Sequence, residues 1–373
     1  MAESTRLVDL IQQRIDNFLA ERHSQFTTIA PELVPVTDLA RDYLAGGKRF
    51  RGLFCYWGWQ AVSADPNGFD SLPDDDVQAE LPAIVLAASA LEVFHAAALV
   101  HDDIMDKSDT RRGAPAAHKR FESLHRKSGW RGDAASYGNS AALLLGDLLL
   151  GWSDELFDQG TGLLASAPSG RAGRAEFNRM RTEVTAGQYL DILEENAWAS
   201  YPESSALSRA HRVIVYKSAK YTIEAPLAIG AALGGGSLAQ LAALREFGLP
   251  LGVAYQLRDD LLGVFGDPAV TGKPAGDDLR EGKRTVLIAL ARTKLAASTR
   301  QLLDELIGDD SLDAQQIDMV RTALVDCGAV DEVEGIIDHN VSLAQTAIRD
   351  APISHSARTQ LLELADSATR RSA

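Results

Sequence analysis

Aromatic side chains make up only 6% of the 373 residues, and cysteine occurs twice, at Cys55 and Cys327. With Ala and Leu plentiful, that scarcity argues against a β-sandwich, because strands draw on aromatic and β-branched side chains. The two cysteines are too far apart for metal-ligand spacing and read as buried thiols in a reducing compartment. No basic start followed by an apolar block opens the chain, so no secretory signal is expected and the cytoplasm is its expected place. Positive charge is also short, with 37 Lys and Arg against 52 Asp and Glu, a net −15. Such a chain is a poor ligand for nucleic acid or anionic lipid, although a local basic cluster can still take an anion.

Strand-like alternation beyond a few residues is missing, and so is any repeat of solenoid period. A P-loop, a dinucleotide fingerprint, HExxH and a serine elbow are absent too, and Lys273 is followed by Pro274 rather than Ser or Thr. What remains is helix after helix. Leu7, Ile11, Ile15 and Leu19 recur at helical spacing, as do Leu241, Leu244 and Leu251. Breaker-rich stretches at 64–76, 127–138, 159–173 and 266–276 predict loops, none long enough to link domains. The expectation is one all-α domain over residues 1–373, with short flexible termini. The most apolar stretch, Leu81–Val100, is long enough to span a bilayer. It carries Pro82, Glu92 and His95 and runs into aspartates, so a buried helix without membrane insertion is predicted.

That helix ends in His101-Asp102-Asp103-Ile104-Met105-Asp106. Asp102 and Asp106 stand four residues apart, so a helix sets both carboxylates on one face, where they repel unless a hard cation such as Mg²⁺ bridges them. A second motif, Gln256-Leu257-Arg258-Asp259-Asp260, lies in another apolar helical stretch and suggests the other face of one metal site. Cations recur at Lys48, Arg49, Arg51, Arg111, Arg112, Lys217, Lys220, Lys273, Lys283 and Arg284. Guanidinium and ammonium groups in company with magnesium carboxylates are what a diphosphate requires. A packing role is expected for His101, since imidazole prefers softer metals than Mg²⁺.

With GGKRFR (46–51), LEVFHAAALVHDDIMDKSDTRRG (91–113), GQYLD (187–191), YKSAKYT (216–222), YQLRDDLLGVFGD (255–267) and GKPAGDDLREGKRT (272–285) in this order, the chain resembles the trans-isoprenyl diphosphate synthases, the polyprenyl synthetase family. The resemblance implies a single large helical bundle around a central cleft, of isoprenoid synthase type. It implies an enzyme that condenses isopentenyl diphosphate head-to-tail with an allylic diphosphate (dimethylallyl, geranyl or farnesyl) by ionisation, condensation and elimination. By resemblance, Asp102 and Asp106 hold two Mg²⁺ with Asp103 supporting, and Asp259, assisted by Asp260, holds a third; Mn²⁺ is a substitute. Arg111, Lys217 and Lys273 then grip the allylic diphosphate, and Lys48, Arg51, His95 and Arg112 bind that of isopentenyl diphosphate. Ser218, Gln256 and Lys217 lie beside the reacting carbons, Gln188 and Asp191 face the cleft, and Lys283 belongs to a positively charged flap. A homodimer is implied as well.

Three departures stand out. Gly263 occupies a place where many relatives carry a third Asp, Gly52 one where proline is common, and Ser218 one where threonine is usual. Asp267 lies about 10 Å beyond Asp260 along the helix, too far to replace the missing carboxylate. Product length is read from α-helical spacing below Asp102: Ala97 and Ala98 leave room one turn down, and Phe94 sets a floor one turn deeper. That predicts geranylgeranyl diphosphate. The alternatives are a farnesyl or longer polyprenyl product, a class I terpene cyclase, or a non-catalytic partner subunit. Arg370-Arg371 is expected to be a frayed tail.

Overall fold

The computed structural model describes residues 2–63, 75–267 and 276–369. Lys273, Arg370, Arg371 and most of the predicted loops at 64–76 and 266–276 lie outside them. The chain is all-α, as its composition predicts. Helices run α1 (Ala2–Ile29), α2 (Val34–Leu44), α3 (Phe50–Ser63), α4 (Asp75–Met105), α5 (Ala117–Lys127), α6 (Ala134–Leu163), α7 (Ala167–Ala197) and α8 (Ala206–Val213). A π-helical segment, Ile214–Glu224, leads into α9 (Ala225–Leu233). The rest are α10 (Leu238–Phe265), α11 (Asp277–Glu281), α12 (Val286–Lys294), α13 (Ala297–Leu306), α14 (Ala314–Asp326), α15 (Ala329–Arg349) and α16 (His355–Thr369). A two-stranded antiparallel hairpin, Thr110–Arg111 with Ala114–Pro115, follows α4.

Two predicted loops are shorter than expected. Between α6 and α7 only residues 164–166 leave the helical path, because breakers at 159–173 sit inside helix ends whose packing outweighs their propensity. Residues 128–133 separate α5 from α6, where the Asp133 side chain accepts from Ser136 N at 2.7 Å and caps α6. Cys55 is buried and free as expected; Cys327 is also free but only half-buried.

The chain gathers into two compact units. The first comprises Met1–Ala175, Pro226–Ser237 and Ile353–Ala357, the second Glu176–Ala225, Leu238–Pro352 and Arg358–Ala373. In the first, α4 passes the length test for a membrane span over Ala79–Met105, but 83% of its most apolar window is buried. Helix α6 lies along α4 through a seam of small residues at seven-residue spacing. Gly146 makes room for the His101 ring, Ser153 Oγ donates to Ala90 O at 2.7 Å, and Gly160 meets Ala83 and Leu86. With side chains this small at these points the two helices pack closely along their length. Helix α3 crosses α9 in the same way, with Gly58 over Leu227 and Gly230 over Cys55.

In the second unit, α10 contributes Leu257, Leu261 and Val264 to a core shared with α12, α14 and α15. Gly187 lies against Lys217 and Gly252 against Ala219, so glycines on α7 and α10 hold the π-helical turn from both sides. π-Helical turns concentrate at functional sites. This one carries Lys217 and Ser218.

Gly58→Ala or Gly230→Ala drives a methyl into backbone and is expected to cost about 1–3 kcal/mol. Gly335→Ala on α15 opens onto free space and is expected to stabilise by up to about 1 kcal/mol. Urea unfolding of the three variants measures the contrast.

Candidate active site

In the first unit, α4 stays helical to its last turn, with Asp106 N bonded to Asp102 O at 2.8 Å. The i, i+4 spacing therefore does place both carboxylates on one face. Asp103, between them in sequence, has 0% exposure. Arg111 Nε donates to its Oδ1 at 2.8 Å, Arg111 Nη2 joins the same oxygen, and Tyr43 donates to Oδ2 at 3.0 Å. Burial pushes the Asp103 pKa up, and the Arg111 and Tyr43 bonds pull it back. Tyr43 OH also accepts from Ala117 N at 2.7 Å, so one phenol ties α2, α4 and α5 together. Burial and the Asp103 charge push the Tyr43 pKa well up. Arg111 Nη2 stands 3.6 Å from Asp102. In this arrangement Asp103 is a buried anchor for Arg111.

The hairpin presents Arg111 and Arg112 from a tight turn in which Arg112 and Gly113 take φ of 52° and 74°. Arg49 and Lys107 also hold positive φ, at 51° and 55°. Such strain in non-glycine residues persists where surrounding contacts over-determine it, commonly at functional sites. For Arg49 those contacts are a buried pair with Glu92 at 3.4 Å, Gln12 Oε1 at 2.5 Å and the Leu44 carbonyl. Glu92 also accepts from Gly52 N at 2.9 Å, which locks the start of α3 onto α4.

Around this brace, half-buried Arg51 and His95 come together with Arg111 and Arg112, while exposed Lys48 sits over the Phe50 ring. Gly47 has no side chain, and a Cβ there would lie 3.5 Å from Arg112 Nη2. Burial, then the fields of Arg51, Arg112, Arg111 and Arg49, hold His95 well below the usual imidazole range. Burial also lowers the Arg112 pKa, as do Arg49, Arg111 and Arg51. Cations packed this closely disfavour one another, and an anion relieves the repulsion. His101 faces away; its Nε2 is 3.2 Å from Leu143 O and 3.6 Å from Asp147, a packing position as expected. Phe94 and Ala97 are buried on α4 and Ala98 is half-buried.

In the second unit, Lys217 pairs with Asp191 and Lys220 with Glu183 at 2.8 Å. Gln188 and Ser218 are half-buried. On α10, Gln256 Nε2 donates to Asp260 Oδ1 at 2.7 Å. Asp260 is buried, and its pKa is pushed up to about 8 by burial first, then by the charges of Asp278 and Asp259, with the Gln256 bond opposing. Asp259 is half-buried one residue before it. Lys283 reaches Glu281 at 2.5 Å and Asp278 at 3.6 Å. Arg258, within the acidic motif, is taken up by Glu334 at 2.5 and 2.7 Å and by Thr369 O at 3.2 Å, which anchors α10 to α15 and α16.

Among the described residues no three His, Cys, Asp or Glu side chains gather closely enough to hold a metal ion by themselves. Mg²⁺ suits such a donor set. It is held by one or two carboxylates and completes its octahedron with water and phosphate oxygen. Sequence reading missed Tyr43, Glu92 and Asp278. Only Asp278 had a visible signal, in GDDLREGKRT.

Residues 35–324 match the polyprenyl synthetase family. A geranylfarnesyl diphosphate synthase of Aeropyrum pernix is 31% identical over 94% of this chain and 96% of its own length. A geranylgeranyl diphosphate synthase of Methanosarcina mazei is 28% identical, covering 93% and 95%. A solved geranylgeranyl pyrophosphate synthase of Corynebacterium glutamicum, complexed with isoprenyl diphosphate and magnesium, superposes with a TM-score of 0.89 at 36% identity, over 98% of this chain and 99% of that one.

Because the folded-state pKa of Asp260 lies above its unfolded value, the folded chain keeps a proton that the unfolded chain releases between about pH 4 and about pH 8. Stability should fall as pH rises through that window. In EDTA, the melting temperature of the wild-type protein is expected to drop more steeply from pH 5 to pH 8.5 than that of Asp260→Asn; parallel curves would refute the shift.

Proposed function

The chain belongs to the polyprenyl synthetase family and is a trans-prenyltransferase acting on isoprenyl diphosphates, and from that premise we propose that it makes geranylgeranyl diphosphate from isopentenyl diphosphate and an allylic primer in a Mg²⁺-dependent reaction. The observation that carries this reading is the placing of the Asp102–Asp106 face beside a dense cluster of arginines on the same unit. Asp102 and Asp106 would hold the divalent ions at one motif, and Asp259, with Asp260 behind it, at the other. Three ions are proposed, with Mn²⁺ as a substitute; bound, they neutralise the charge that builds on the departing diphosphate.

Each residue then has a task set by its surroundings. Arg111 is held by buried Asp103 with its guanidinium 3.6 Å from Asp102, so it meets diphosphate oxygen beside the metal carboxylates. Lys217 on the π-helical turn is the second such cation and exchanges Asp191 for phosphate. Lys48, Arg51 and Arg112 bind the diphosphate of isopentenyl diphosphate, and His95, kept neutral by its arginine neighbours, donates or accepts a hydrogen bond without adding charge. The allylic C–O bond breaks with its electron pair leaving on the diphosphate. The π electrons of isopentenyl diphosphate form the new C–C bond to the allylic carbon. Loss of a C2 proton to the released diphosphate restores a double bond. Ser218 and Gln256 present oxygen dipoles to the cationic intermediate, and the apolar wall of α4 keeps water from it.

Small Ala97 and Ala98, followed by buried Phe94, support a twenty-carbon product; the relatives named as geranylfarnesyl synthases make twenty-five carbons the alternative. The second-substrate cations argue against a cyclase, which ionises one diphosphate and needs no partner. A homodimer is supported by Leu143 and Leu144 of α6, 51% and 62% exposed.

Incubation with isopentenyl diphosphate and each primer, with and without Mg²⁺, followed by chromatography of the dephosphorylated products, tests the reading. The double variant Asp102→Ala/Asp106→Ala is expected to lose about 10³-fold or more in condensation rate, the several kcal/mol a metal supplies to a leaving group. Phe94→Ala is expected to lengthen the product; an unchanged distribution removes Phe94 as the floor.

A further inference from the structure

Arg111 does not meet Asp103 as a fork on two oxygens. Its Nε and Nη2 both donate to Oδ1, at 2.8 Å for Nε, whereas a guanidinium paired with a carboxylate commonly sends one N–H to each oxygen. The second oxygen is taken. Oδ2 accepts from the Tyr43 hydroxyl at 3.0 Å, on a residue with no exposed surface. We infer that Tyr43 is a positioning residue for the transfer reaction: by holding Oδ2 it keeps Arg111 on Oδ1 alone, with Nη2 turned to Asp102. The inference rests on the reading of Arg111 given above, as the cation that meets diphosphate oxygen beside the metal carboxylates.

The proton on Tyr43 has one place to go. Ala117 N lies 2.7 Å from the phenol oxygen, and a backbone N–H can only donate, so it takes a lone pair. The hydroxyl proton is left for Asp103. Local sequence creates the need for that acceptor. Helix α5 starts at Ala117 behind Ala116, whose methyl group cannot cap it, and the first turn of a helix has N–H groups without intrahelical partners. Tyr43, in the last turn of α2, supplies the acceptor that the cap residue lacks. Partners on two helices therefore fix the phenol oxygen. Removing it leaves Oδ2 a buried acceptor without its donor. The nearest repair is rotation of the Asp103 carboxylate to take Nε and Nη2 on separate oxygens, and Nη2 then leaves its place 3.6 Å from Asp102. A neighbouring surface pair, Arg120 with Asp42 at 2.7 Å, also ties α5 to α2 and serves as a control.

The test joins calorimetry of inorganic pyrophosphate binding to the full-length protein, with Mn²⁺ present, to steady-state kinetics with both substrates. Tyr43→Phe keeps the ring and removes the oxygen. It is expected to weaken pyrophosphate binding about 10-fold, the loss of one hydrogen bond to a charged group. KM for the allylic diphosphate is expected to rise by a similar factor, with KM for isopentenyl diphosphate little changed. Tyr43→Phe/Asp103→Asn is expected to lose no more affinity than Asp103→Asn alone, because both changes break one chain of contacts. Asp42→Asn, which cuts only the neighbouring tie, is expected to keep wild-type affinity. Wild-type pyrophosphate affinity in Tyr43→Phe, additive losses in the double variant, or an equal loss in Asp42→Asn would overturn the inference. Should Tyr43→Phe not fold, wild-type affinity in Asp103→Asn overturns it. If the wild type condenses prenyl diphosphates while Tyr43→Phe keeps its affinity and its KM values, this inference alone fails. A wild type that binds no pyrophosphate and yields no prenyl product would instead fail the functional reading beneath it.

Discussion

A carboxylate with no exposed surface must find its counter-charge inside the protein, and at Asp103 that requirement organises the first unit. Burial pushes its pKa up, and the bonds from Arg111 and Tyr43 oppose that. The cost of separating a buried partner is large, a few kcal/mol for a desolvated charge left alone, so the ends of α2 and α4, the hairpin and the start of α5 are all committed to one arrangement. Asp102 and Asp106 share one face because they stand four residues apart on α4, whose last turn is closed by the bond from Asp106 N to Asp102 O.

Close approach is the second constraint. Charged groups can be fixed this tightly only if the backbones carrying them are fixed first, and glycine permits it. The Gly146–Ser153–Gly160 seam seats α6 on α4. In the second unit Gly187 and Gly252 clasp the π-helical turn bearing Lys217, and Gly263 admits Asp278. The absent side chains are as specific as the present ones. Each lets a charged or polar group take a position that a methyl would deny.

Much of this was legible in the residues. The all-α class follows from composition and period, and the first motif follows from two aspartates at helical spacing beyond an apolar run. The short loop between α6 and α7 was overestimated because Gly and Ser at 159–173 read as breakers, whereas packing decides in long helices. The π-helical turn at 214–224 has no signature distinct from an ordinary helical period. Tyr43 is sixty residues from the aspartate it serves, and no local pattern announces a contact made only by the fold. Gly263 was visible as a departure, yet its meaning depends on where Asp278 lands.

The cations of the first unit bear on the charge of the ligand they await. His95 is held neutral by its surroundings, so the positive charge comes from Arg51, Arg111 and Arg112, with Arg49 behind them. Arg49 is matched by Glu92 and Arg111 by Asp103, but the field of these groups still lowers the pKa of His95 and of Arg112. A monoanion such as a carboxylate would leave most of that repulsion in place. A diphosphate carries several charges on oxygens spaced for guanidinium forks and brings its own demand for divalent metal. The carboxylate face of α4 and the arginine cluster beside it are therefore parts of one requirement. Each is destabilising alone, and the metal-bound diphosphate proposed above would answer both.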